Sequence, residues 1–404
     1  MELADSVFMF LATILVWGMT PGIALFYGGM VSRKNVISTT MQSFGALAIV
    51  SILWVVCVYS LSFSTTGNAL IGNFQWAFLD HVTFEPNGDY SSTIPHNLFM
   101  MFQMTFAVLT TAIISGGIAE RMRFGPFLVF ITMWIVLIYA PVAHWVWGVG
   151  GWLRELGALD FAGGNVVHIS SGVAGLVLAV VVGKRKGNNG MPHSLPLTAL
   201  GGTLIWMGWY GFNVGSALTL DSIAMVAFVN TAVAAAAGMM GWVLFQWMIM
   251  KKPTLFGALS GALAGLIGIT PGAGFVTVGA AIAIGFIAGI VCFFGVTCLK
   301  AKLRYDDALD AFGLHGIGGT WGGLATGLFA TTAVNENGAN GLFYGDPSLL
   351  WKQAVAIIAT YLFVGIGSYI IIKVIKWFMP VRANVEEEEK GLDLSFHGEQ
   401  AYSE

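Results

Sequence analysis

The chain has 404 residues, 56% of them hydrophobic and 10% charged, with a formal net charge of −3. Soluble globular chains carry about 25% charged residues, so this composition excludes that class, and nothing in it is basic enough to hold nucleic acid. Fifty-three glycines suit a bundle of closely packed membrane helices, in which small residues let backbones approach.

Glu2 and Asp5 precede the first apolar run, which is too long for a signal h-region, so no cleavable signal is expected. Runs of about 20 apolar residues predict eleven spans. They are about Val7–Met30, Val36–Phe63, Asn97–Ala119, Phe124–Trp147, Phe161–Gly183, Leu195–Ala217, Ile223–Met250, Leu255–Thr270, Val276–Leu299, Ala308–Thr331 and Leu349–Phe378. Two connections are very short: Asp221 marks one, and Pro271 to Gly274 splits a charge-free run too long for a single helix. Cys57, Cys292 and Cys298 lie in apolar runs and read as small buried hydrophobes, not disulfide partners or metal ligands.

The basic residues test this count. Of 18 Lys and Arg, only Arg154 and Lys352 fall outside the alternate connections and the C-terminal end, leaving 16 on one side. The positive-inside rule then puts the N-terminus outside and the C-terminus in the cytoplasm. Five spans is an odd number, so a second set of five runs upside-down relative to the first, a common transporter design. The expected architecture is an all-α membrane protein with an inverted five-plus-five repeat, about 7–183 and 195–331, and an eleventh helix at 349–378. Residues 1–380 form the transmembrane domain. Residues 381–404, with four consecutive glutamates, form a cytoplasmic tail, either disordered or docked on the loops.

An echo supports the repeat. Gly157 to Val180 and Asp306 to Phe329 both carry Ala-Leu-Asp followed by a histidine, eight residues on in one (Asp160, His168) and five in the other (Asp310, His315). The offsets differ by about one helical turn, so the two histidines are expected on comparable faces. Ionisable groups at membrane depth are costly and usually face a pathway; a satisfied structural histidine is the plain alternative for either one alone. His81, His96 and His193 fall in connections and read as solvated, His397 lies in the tail, and His144, between tryptophans, reads as an interfacial anchor. Asp160 reads first as a helix-start residue meeting free N–H groups and the dipole, and Asp310 likewise. Trp147, Phe102, Phe106 and Phe212 are candidates for a cation site, because aromatic faces attract cations.

Taken together, Pro21-Gly-Ile-Ala-Leu-Phe-Tyr-Gly-Gly29, Phe102-Gln-Met-Thr-Phe106, Asp160-Phe-Ala-Gly-Gly164 with His168, Gly208-Trp-Tyr-Gly-Phe-Asn213 with Ser216, Thr270-Pro271 and Asp310-Ala-Phe-Gly-Leu-His315 resemble the ammonium transporter (Amt/MEP/Rh) family nearly end to end. The resemblance is greatest to its bacterial members, and it implies roles. Phe102, Phe106, Trp147 and Ser216 would recruit ammonium at an outer site, Phe106 and Phe212 would gate it, and His168 and His315 would be the paired pore histidines. Asp160, Asp310 and Thr270 would support them. It further implies a homotrimer in the cell membrane, multi-pass, carrying ammonium or ammonia, with methylammonium left open. A trimeric PII-type regulatory protein would dock at the cytoplasmic face. No cofactor, metal or enzymatic constellation is expected. The alternatives are a passive Rh-type ammonia or gas channel, an ammonium sensor, and a membrane haem protein using the two histidines.

Overall fold

The computed structural model describes residues 1–186 and 192–402. Among them the structure is helical, with β pairing confined to three isolated bridges. Eight helices are long and apolar enough to cross a membrane: α1 (Leu3–Met30), α2 (Arg33–Phe63), α3 (His96–Gly117), α4 (Phe124–Leu156), α5 (Gly164–Val182), α7 (Ser222–Met250), α9 (Val278–Leu303) and α11 (Ser348–Phe378). Three more lie between them, α6 (195–214), α8 (Leu255–Ile269) and α10 (312–329), and α12 (Val385–Lys390) lies in the tail.

Local chemistry sets many of the boundaries. Ser194, Asp221, Thr254 and Thr277 stand just before α6, α7, α8 and α9, each accepting an N–H from three residues on, which satisfies one of the orphan donors of a helix start. The expected breaks at Asp221 and after Thr270 are both present. Several helices contain a π-helical turn, and three of these turns carry His168, Phe212 and His315. Such turns interrupt the regular ladder, re-aim side chains and concentrate at functional sites.

Close packing brings α5 against α10. A Cβ on Gly172 would run into the backbone at Gly316, and one on Gly319 would stand 3.0 Å from the Gly164 carbonyl oxygen and 3.1 Å from the His168 Cβ. Only glycine admits two backbones this near.

The tail is docked. Its four-glutamate run forms α12, with a capping box between Asn384 and Glu387. Glu387 pairs with Arg123 at 2.7 Å and Glu388 with Arg382 at 2.7 Å. Asp393 accepts the Ser38 N–H at 2.7 Å, while the Leu392 N–H reaches Asn35 at 2.8 Å. The basic connections at 33–35 and 121–123 therefore share one face with the tail.

Some side chains depart from expectation. His144 is no interfacial anchor: it is buried, with its two ring nitrogens 3.0 and 2.7 Å from the carbonyl oxygens of Ser62 and Asn68. His96 is buried at the start of α3, 2.6 Å from the Tyr59 hydroxyl. In both cases the chain at 64–95 folds back over the helix ends, so a residue beside a connection is covered. Of the cysteines only Cys292 is buried; Cys57 is half-buried and Cys298 exposed, because an apolar helix in a bilayer turns one apolar side outward.

Candidate functional site

A vestibule of about 260 Å³ opens on the face that carries the N-terminus, lined among others by Phe106, Trp147, Asp160 and Ser216. Trp147 presents itself edge-on to Phe106, ring centroids 5.9 Å apart at 88°. Its indole N–H donates to the Asp160 carbonyl at 2.9 Å, and its own carbonyl accepts from Arg154 at 2.8 Å, so it is held at both ends. The Ser216 hydroxyl donates to the Phe212 carbonyl at 2.8 Å, which leaves its lone pairs as acceptors. Three of the four residues expected at the recruitment site thus meet. Phe102 does not line the vestibule: it is fully buried, edge against Phe106 at 4.9 Å and 68°, a backing for that ring. Tyr90, Phe99 and Gln103 take part in the wall instead; Gln103 stands inside the Phe102–Phe106 motif without having been singled out, and no motif in the sequence pointed to Tyr90 or Phe99.

The vestibule ends at Phe106 and Phe212, stacked with centroids 4.2 Å apart. Behind Phe212 lies His168, 5.8 Å between ring centroids and nearly parallel. Its Nδ1 is 3.1 Å from Nδ1 of His315, so the two histidines do touch. Both line a narrow slot of about 20 Å³, walled otherwise mostly by Met19, Ile23, Phe26, Leu109, Leu263 and similar side chains, room for about one molecule of water's size.

Thr270 sets the proton positions. Its hydroxyl donates to the Leu266 carbonyl at 2.8 Å and accepts the Trp209 indole N–H at 3.0 Å. The hydroxyl proton being committed, His168 Nε2 at 3.3 Å has to be the donor. With one proton per ring, His168 Nδ1 is then an acceptor, His315 Nδ1 the donor, and His315 Nε2 carries a free lone pair.

Of the two carboxylates read as helix-start residues, Asp160 is one and Asp310 is not. Asp160 accepts the N–H groups of Gly163, Gly164 and Asn165 at 2.8, 2.5 and 2.7 Å, fixing the start of α5 below Trp147. At α10 this task falls to Asp307, which accepts from Ala311 and Phe312 at 3.1 and 2.7 Å. Asp310 instead pairs with Lys300 at 2.6 Å and has a left-handed backbone, φ 61°. Gly163, likewise three residues past its capping aspartate, has φ 119°. The matching pairs are therefore Asp160 with His168 and Asp307 with His315, eight residues apart in both. That common spacing was readable in the sequence and was masked by the Ala-Leu-Asp echo.

On the tail face, Arg185 bridges Glu120 at 2.7 Å and Asp306 at 2.8 Å. Burial pushes the Asp306 carboxyl up, but the bonds and charge of Arg185 outweigh it and hold it at about 2. Glu120 is held below its ordinary value in the same way: burial opposes, while Ser32, Asn35 and Arg185 prevail. This network pins the connections around α3, α5 and α10 to one another.

A helical bundle with an aromatic mouth, a phenyl pair and an apolar slot interrupted by two imidazoles belongs to a multi-pass membrane protein that passes a small solute through its own interior. Comparison with known proteins gives the solute. The family model described as Ammonium Transporter Family matches residues 7–402. An ammonium transporter of Bacillus subtilis is 67% identical, each chain covered in full. The ammonium transporter Amt1 of Archaeoglobus fulgidus is 45% identical, with 97% of both chains covered. Among solved structures, Saccharomyces cerevisiae Mep2 matches with a TM-score of 0.89 at 35% identity, over 95% of this chain and 91% of Mep2. A protein described as a sensor Amt protein matches with a TM-score of 0.89 at 29% identity, over 98% of both chains. The chain belongs to the ammonium transporter family, a family of transporters and not of enzymes.

Proposed function

We propose that the protein takes up ammonium at the Phe106–Trp147–Ser216 vestibule, removes a proton there, and passes ammonia between Phe106 and Phe212 and along the two histidines. The observation that carries this is the His168–His315 contact at 3.1 Å, buried in an otherwise apolar slot. Moving a bare cation from water into a low-dielectric interior costs on the order of 20 kcal/mol. Deprotonating an amine-like group of pKa about 10 at pH 7 costs about 4 kcal/mol. The neutral form is the one that crosses.

Trp147 and Phe106 supply faces for the cation, and the lone pairs of Ser216 accept one of its N–H groups. Phe102, buried behind Phe106, keeps that ring in place. Asp160 and Asp307 act through position: each fixes the start of the helix that carries one histidine. Asp310, in its ion pair with Lys300, supports the inner end of α10. The His315 Nε2 lone pair faces the slot and accepts from ammonia, while the bonded imidazoles relay the proton left behind. Transport is then electrogenic without a bare ion in the slot.

The helices α6, α8 and α10 cross the membrane too, bringing the spans to eleven. The shared carboxylate-to-histidine spacing supports two inverted sets of five, 7–183 and 195–331. The vestibule faces outward, and the tail, gathering most of the basic connections, lies in the cytoplasm. The protein works as a homotrimer in the cell membrane, and its tail face receives a PII-type regulator. The test is ammonium-evoked current from proteoliposomes on a solid-supported membrane at several pH values. His168→Ala and His315→Ala are each expected to abolish the current or change its selectivity. Wild-type current in both would refute the relay, and a silent wild type that still conducts ammonia would make it a passive channel.

A further inference from the structure

On the tail face a cavity of about 270 Å³ opens between the start of α2 and the end of the chain, lined by Arg33, Lys34, Lys390, Asp393 and the turn at 400–402. Its walls are anchored. His193 Nδ1 lies 2.9 Å from the Val31 carbonyl oxygen and its Nε2 2.9 Å from the Tyr402 hydroxyl. The carbonyl can only accept, so Nδ1 holds the proton and Tyr402 donates to Nε2. The Arg33 guanidinium lies over the Tyr402 ring at 5.0 Å. On the facing wall Lys34 donates to the carbonyls of Glu388 and Glu389 at 2.9 and 2.6 Å.

The charges lining this cavity do not balance. Elsewhere on the same face Arg123, Arg185, Lys300 and Arg382 each have a carboxylate partner. Among the described residues Arg33, Lys34 and Lys390 have none, and neither the Arg33 guanidinium nor the Lys390 ammonium donates to a protein acceptor. The one lining carboxylate, Asp393, is 2% exposed and takes the Ser38 N–H at 2.7 Å, in the first turn of the regular α-helix that begins at Val36 within α2, so its charge already meets a helix start. Three exposed cations, one with a free guanidinium fork, thus line a half-open cavity whose one carboxylate among the described residues is turned to the backbone of α2. Their mutual repulsion is relieved by a ligand carrying concentrated negative charge and several acceptor oxygens, and the fork of arginine matches the spacing of phosphate oxygens.

We propose that this cavity binds a phosphate group, carried by a soluble phosphate or by an anionic lipid headgroup at the membrane surface. Arg33 grips two of its oxygens, Lys390 and Lys34 add charge, and the volume leaves room for an ester substituent. Once bound, the group bridges the start of α2 and the last residues of the tail.

The test is calorimetric titration of the full-length protein in detergent at fixed ionic strength, with inorganic phosphate in one arm and dioctanoyl phosphatidylglycerol in the other. We expect saturable binding of one ligand per chain in at least one arm. Its Kd rises at least tenfold in the Arg33→Gln/Lys390→Gln variant and stays unchanged in Lys252→Gln/Lys302→Gln, which removes two cations outside the cavity. A response to phosphate names a soluble source; a response to the lipid alone names the headgroup. Both exposed side chains lack protein acceptors, so the variants keep the fold, and Lys390→Gln alone weakens binding several-fold. Absence of saturable binding in both arms, or an equal Kd in the two double variants, overturns the site.

Discussion

Thr270→Val keeps the shape of the side chain and removes its hydroxyl, so it isolates the proton bookkeeping of the histidine pair. The hydroxyl accepts from Trp209 at 3.0 Å and from His168 at 3.3 Å. Trp209 is 2% exposed, and leaving its N–H without an acceptor costs about 1–3 kcal/mol of stability. His168 has an escape that Trp209 lacks: its other tautomer carries no proton at Nε2, provided the bond to His315 reverses. A hydrogen bond contributing about 1.4 kcal/mol favours one tautomer about tenfold. Without it the two forms become about equal, and the original fraction falls from about nine-tenths to about half. The ammonium-evoked current at matched protein content is therefore expected to drop about twofold, with thermal inactivation in detergent shifted downward. Thr270→Ser, which keeps the hydroxyl, stays at the wild-type values. Nitrogen NMR of labelled histidine reads the tautomers directly and should find His168 Nε2 protonated in about nine-tenths of the molecules with Thr or Ser at 270 and in about half with Val. Wild-type current and stability in Thr270→Val would refute the reasoning. So would a complete loss of current in well-folded protein, since the hydroxyl would then take part in the transfer itself.

Trp147→Leu removes the largest aromatic face of the vestibule. A desolvated cation–π contact of about 2 kcal/mol corresponds to roughly thirtyfold in affinity; half-saturation of the current should rise at least tenfold, with potassium becoming an effective competitor. Gly172→Val drives a side chain into the backbone at Gly316 and parts α5 from α10, beyond what a repacked core absorbs. It should yield little folded protein by gel filtration, and whatever folds should carry no current. Asp306 and Glu120 are both held below the ordinary carboxyl value, about 4, so their pairing with Arg185 stabilises the protein above that pH and is lost as pH falls toward 2. The stability gap between wild type and Arg185→Met should accordingly be widest above pH 4 and close toward pH 2. A gap independent of pH would show that the ion pairs contribute nothing.

Much of this protein is written locally. A membrane helix has to be apolar along its own length and satisfy its own backbone, so the long runs, the breaks at Asp221 and Pro271 and the family resemblance could be read one segment at a time. The capping aspartates were also within reach, since Asp160 and Asp307 each stand eight residues before their histidine; a repeated tripeptide drew attention to Asp310 instead. Other features belong to no segment. That His168 meets His315 depends on the depth and rotation of α5 against α10, set by the contact of Gly172 with Gly316. That Phe102 backs a ring rather than facing the solute, that His144 is covered, and that Thr270 dictates a tautomer two helices away all follow from which neighbours arrive. Composition determines that a chain enters the membrane because apolarity is a sum over residues, whereas a conduit is a relation between helices and exists only once they have packed.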